Sequence, residues 1–117
     1  MDLSIDKNGT ATVIRIQTAR VIYPLLPTLL EKTREAVDKG ARSLILDLQA
    51  VSYIDSATIG CIMDIYRLAK DNGGALHVLA PQARVETMLS MAGVHKIVPI
   101  FQEEDEAVRA FSGEASN

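Results

Sequence analysis

The run Ser43-Leu44-Ile45-Leu46-Asp47-Leu48 most constrains what this chain can fold into. It is short, apolar and bounded by polar residues, the pattern of a strand buried on both faces. After it, Val51-Ser52-Tyr53-Ile54 forms a short connection, and Asp55-Ser56 opens a helical pattern. Asp and Ser are favoured at helix starts because their side-chain oxygens accept from free backbone N–H groups. The positive end of the helix also favours an anion there. A serine hydroxyl in this position reads either as a cap or as an acceptor for a phosphate.

The remaining pattern alternates strand and helix. Leu3 and Ile5 precede Asn8-Gly9, a pair suited to a tight hairpin turn, and Thr10 to Gln17 reads as the returning strand. Thr18 to Tyr23 has no clear period. Pro24 marks a helix start, and Leu25, Leu26, Leu29, Leu30, Ala36 and Val37 recur at helical spacing before Gly40. The helix from Ser56 runs to about Asp71 and stops at Asn72-Gly73-Gly74, with a strand from Ala75 to Ala80 beyond. A further helix carries Val85, Met88, Leu89 and Ala92, and Gly93 closes it. Ile97 to Ile100 reads as a last strand, and Glu103 to Phe111 as a terminal helix with Ala107, Val108 and Phe111 inward. Strands alternating with helices imply a largely parallel sheet, which the opening hairpin makes mixed. The expectation is one α/β domain over residues 1–112, with a four- or five-stranded mixed sheet, about four helices and a flexible tail at 113–117.

Composition removes several function classes. A net charge of −3, with no basic cluster or aromatic ladder, argues against a nucleic-acid partner. The single cysteine, Cys61, excludes an internal disulfide, and no signal-peptide pattern precedes the first strand, so a reducing cytoplasm is expected. No apolar run approaches the ~20 residues of a membrane span. His77 and His95 lack ligand spacing, so neither metal nor cofactor is expected. Gly73-Gly74 follows a helix rather than opening one and reads as a turn. With no nucleophile–base constellation, the chain does not read as an enzyme.

On a helical wheel, the apolar residues of the Ser56 helix cover an arc of roughly 220°, wider than one sheet face requires. Flanking helices on both sides would account for it; so would a partner on one side. For the first turn, near Ala57 and Cys61, the partner reading is favoured, because a helix mouth has the fewest packing neighbours.

The stretch Leu44 to Gly60 resembles the signature of bacterial anti-sigma factor antagonists, small proteins of the STAS class. The matching elements are Leu46-Asp47-Leu48, Val51, Tyr53-Ile54, Asp55-Ser56 and Ile59-Gly60. The block Met88 to Val98 is similar to that family's penultimate helix and following strand. Thr58 stands where the family usually has Gly, and Thr18 to Tyr23 lacks the two acids of the family's Gly-Glu-hydrophobic-Asp loop.

The resemblance implies a STAS-like fold and a partner-switching regulator. Ser56 is then the phosphorylation site, with Asp47, Asp55, Ala57 and Thr58 as its neighbourhood. Asp55 would cap the helix and position the hydroxyl, and Asp47 would shape the hydrogen bonding of the Ser56 loop. Ser52, Tyr53, Ile59, Gly60 and Cys61 become the partner-contact residues. The implied partners are an ATPase-type serine kinase that is also the anti-sigma factor, and a PP2C-type phosphatase acting on phosphorylated Ser56. The alternative is a scaffold or accessory STAS domain of a larger signalling or transport assembly that does not use the serine.

Overall fold

In the computed structural model, residues 1–112 are described; the expected tail at 113–117 lies outside them. A five-stranded mixed sheet forms the centre. Its strands are β1 (Leu3–Asn8), β2 (Ala11–Ile16), β4 (Ser43–Asp47), β6 (Ala75–Leu79) and β7 (Ile100–Phe101), in the spatial order β1-β2-β4-β6-β7. Only β1 runs antiparallel to its neighbour. The hairpin turn falls one residue later than Asn8-Gly9 implies: Asn8 pairs with Ala11, and Gly9-Thr10 are the loop. Gly9 takes φ 60°, a conformation that glycine adopts without steric penalty.

The central run is β4, and its period of two sorts the molecule into two cores. Leu44 and Leu46 face the larger core, together with Ile14, Ile16, Leu76 and Val78. That face is covered by α1 (Leu26–Asp38), α2 (Ser56–Asp71) and α3 (Ala83–Met91). Ile45 faces the other side, with Ala11, Val13 and Leu79, beneath Ala107 of α4 (Glu104–Arg109). Because β2 is buried on both faces, Ala11 through Ile14 are all buried and its apolar pattern does not alternate.

Three elements depart from the expectation. The aperiodic Thr18–Tyr23 segment contains a two-residue strand, β3 (Arg20–Val21), paired in parallel with β5 (Tyr53–Ile54) in a separate small sheet. A strand of two residues has no period to read; it exists through its partner. The last strand starts at Ile100 rather than Ile97. Ile97 and Val98 both donate to the Val94 carbonyl, which holds this segment in a turn, and Pro99 has no N–H to offer. The terminal helix is shorter than expected, ending at Arg109 and continuing as a 3-10 turn, Ala110–Ser112. Ala107 is buried there, whereas Val108 and Phe111 are half-buried.

Candidate functional site

The site begins where Asp55 caps α2 in an extended conformation, φ −102° and ψ 176°. Asp55 Oδ1 accepts from the Thr58 backbone N–H at 2.9 Å, the usual bond of an N-cap. The Thr58 hydroxyl lies 2.7 Å from the same Oδ1 and 2.8 Å from the Val21 carbonyl oxygen, so one proton serves two acceptors. Asp55 Oδ2 accepts from the Tyr23 backbone N–H at 2.9 Å. One carboxylate therefore starts the helix and fastens residues 21–23 against it. The Thr58 hydroxyl, followed by the Tyr23 N–H, holds the Asp55 carboxyl below the usual carboxylate range.

Because Asp55 does the capping, Ser56 is left at the first helical position, where it is exposed. The small sheet frames it. Ser52 and Tyr53 donate backbone N–H groups to the Ala19 carbonyl at 2.8 and 3.2 Å. The Arg20 guanidinium stands 4.6 Å from the centroid of the Tyr53 ring, within range of a cation–π contact.

Beside Ser56 lies an open groove of about 720 Å³ between the start of α1 and the outer side of α2. Tyr23, Pro24, Pro27 and Leu30 form one wall. Ala57, Gly60, Asp64 and Arg67 form the other, with Arg67 and Asp64 paired at 2.7 Å. Tyr23 is 71% exposed, unusual for a large aromatic. Sequence reasoning missed this wall, although an aperiodic stretch followed by an aromatic and two closely spaced prolines was a signal that helix and strand templates cannot score.

Two of the expected site residues differ from expectation: Cys61 is more deeply buried, and Asp47 sits elsewhere. Cys61, assigned to partner contact, is only 5% exposed and belongs to the larger core. It forms the groove's floor, and burial, with the nearby Asp64 charge, pushes its thiol up to about 11. Neighbouring helix α1 covers this part of the wide apolar arc, since α1 and α2 pack directly on each other. Asp47 does not join the Ser56 loop. It shares the sheet face of Ile45, where Oδ2 accepts from Arg15 at 3.1 Å and Oδ1 from the Gln49 N–H at 2.9 Å. Arg15 also binds Glu104 of α4 and Asp6 of β1, each at 2.7 Å, so Asp47 helps anchor the terminal helix. Ala57 lines the groove, Gly60 is exposed on it, and Ile59 is half-buried against the core. Among the described residues, no group of three His, Cys, Asp or Glu is placed to hold a metal, and no helix is long and apolar enough to cross a membrane.

Comparison with known proteins adds three kinds of likeness. The STAS domain family matches residues 2–107. A Thermotoga neapolitana protein named as a candidate anti-sigma factor antagonist is 33% identical over 79 residues, covering 68% of this chain and 70% of its own. The anti-sigma-B factor antagonist of Bacillus subtilis is 26% identical over 110 residues, 93% of this chain and all (100%) of its own. Among solved structures, the anti-sigma factor antagonist SpoIIAA in its unphosphorylated form superposes with a TM-score of 0.81 at 18% identity, covering 96% of this chain and 97% of that one. The Bacillus cell fate determinant SpoIIAA in its phosphorylated form gives 0.71 at 17% identity, covering 93% of this chain and 98% of that one.

Proposed function

The chain belongs to the STAS domain family, and from that premise we propose that it is an anti-sigma factor antagonist switched off by phosphorylation of Ser56. One observation carries the reading: Ser56 is exposed at the mouth of α2, relieved of capping by Asp55, and next to an apolar groove. In this reading the unmodified protein docks on an anti-sigma factor through the Ser56 turn, the β3–β5 pair and the groove. The partner is an ATPase-type serine kinase, and a PP2C-type phosphatase restores the serine.

Elementary electrostatics make the switch work. Phosphorylation adds about −1.5 to −2 charges beside Asp55. The helix N-terminus offsets ~0.3–1 kcal/mol of that locally, so the fold survives. A partner surface that must desolvate the dianion faces several kcal/mol unless it supplies cations. At about 1.4 kcal/mol per tenfold in affinity, this is enough to release a complex.

Titration calorimetry against the cognate anti-sigma factor tests the proposal. Ser56→Ala should bind as the unmodified protein does and resist the kinase, and Ser56→Glu should bind at least tenfold more weakly. Equal affinities for the two variants, with no phosphate mapped to Ser56 by the kinase, would favour the accessory-domain reading. That reading draws its support from the Thr18–Tyr23 segment, where Arg20 is the charged residue and no acid is present.

A further inference from the structure

A second groove lies at the other end of α1. Helix α1 lines the Ser56 groove with Leu26, Pro27 and Leu30, and this one with Lys32, Glu35, Ala36 and Lys39. The volume is about 320 Å³, at the small end of ligand pockets. Its apolar walls are Ile5, Ala36 and Ala41. Into it comes Thr12, which by strand parity occupies the face of Ile14 and Ile16, where an aliphatic residue would pack. Thr12 is 2% exposed, and its hydroxyl accepts from Lys7 Nζ at 3.3 Å. Lys7 and Thr12 are a cross-strand pair, so both side chains stand on this face.

The charge of the groove runs against that of the chain. The whole protein carries −3, yet the groove gathers Lys7, Lys32 and Lys39 against the single acid Glu35. Lys32 already neutralises Glu35, at 3.6 Å. Among the described residues, Lys7 and Lys39 form no ion pair. Two exposed lysines, Lys7 and Lys39, and one buried hydroxyl therefore line the same groove as its apolar walls. That combination suits neither a metal ion nor a neutral apolar molecule.

We propose that this groove binds a small anion bearing a short apolar chain, as a medium-chain carboxylate does, with the head group on Lys7, Lys39 and the Thr12 hydroxyl and the chain against Ile5, Ala36 and Ala41. The assignment stands independently of the Ser56 switch, since it uses the opposite end of α1.

The test is an amide-resolved NMR titration of the full chain with three probes: octanoate, inorganic phosphate and octanol. Octanoate should give saturable shifts at Ile5, Thr12, Ala36 and Ala41, and none at Ala57 and Gly60. Lys7→Gln and Lys39→Gln should each weaken octanoate binding about tenfold, the worth of one charge-assisted hydrogen bond. Lys70→Gln, an exposed change on α2 outside both grooves, should leave it unaltered. Raising the ionic strength to about 1 M, where screening acts over ~3 Å, should weaken it as well. Octanol or inorganic phosphate binding as tightly as octanoate would overturn the proposal, because the lysines or the apolar walls would then play no part. So would octanoate affinity that survives both lysine substitutions, or an absence of saturable shifts.

Discussion

Asp55 joins the helix that carries Ser56 to the segment that walls the groove. Its two oxygens have different duties: Oδ1 caps α2 through Thr58, and Oδ2 holds the Tyr23 N–H. Both bonds need the ionised form, so the folded-state pKa lies below the unfolded one. The stabilisation is thus complete above the ordinary carboxylate range, about 4, and is lost as the pH falls through the depressed value. Asp55→Asn should flatten this part of the stability curve, as measured by denaturant unfolding at a series of acid pH values. The second residue is Cys61. Because it lies in the core beneath the groove, Cys61→Glu should unfold the isolated protein or lower its melting temperature steeply, since an unpaired charge would be buried there. A melting temperature unchanged in Cys61→Glu would place the residue at the surface after all.

At the scale of elements, α4 is held differently from the other helices. It buries only Ala107 and relies on polar anchors. Arg15 grips Glu104 through two bonds, at 2.7 and 3.1 Å, and Asn8 adds a third at 2.7 Å. These contacts lower the Glu104 carboxyl pKa, Arg15 contributing most. The ion pair is partly exposed, at 26% and 27% of its side-chain surfaces, so its contribution is modest, about 1 kcal/mol. Glu104→Gln should leave the rest of the protein intact and speed amide hydrogen exchange in α4 selectively. Uniform exchange across all four helices would mean that α4 opens only with global unfolding.

For the molecule as a whole, stability against pH should show two steps. His77 is buried on the α4 side of the sheet, stacked on Phe111 at 3.8 Å between centroids, with Nδ1 2.9 Å from the Ala107 carbonyl oxygen. Burial outweighs that bond and depresses its pKa. The unfolded chain therefore takes up a proton first as the pH drops below about 6.5, and stability falls across that window. A second decline follows in the carboxylate range, where Asp55 and Glu104 lose their partners. Urea unfolding of wild-type and His77→Gln proteins from neutral pH to about 5 separates the two, because only the upper step should vanish in the variant.

Local patterns determined much of this protein. The run Ser43–Leu48 announced a central strand because burial on both faces demands apolar residues throughout. Asp55-Ser56 and Asn72-Gly73 marked both ends of α2, since caps and helix stops are written in neighbouring residues. What a strand residue faces is another matter. Asp47 sits eight positions before Asp55, yet its period-two orientation sends it to Arg15, the residue that also holds Glu104, on the opposite side of the sheet. The β3 strand and the Tyr23 corner have no periodicity of their own; pairing with Tyr53–Ile54 and the Asp55 bond create them. Cys61 looked free because a wheel shows one helix alone, and only the packing of α1 on α2 buries it. Properties carried by residues adjacent in the chain could be read there. Those that depend on residues thirty or more positions apart were decided by the tertiary structure, because contact energies act through space.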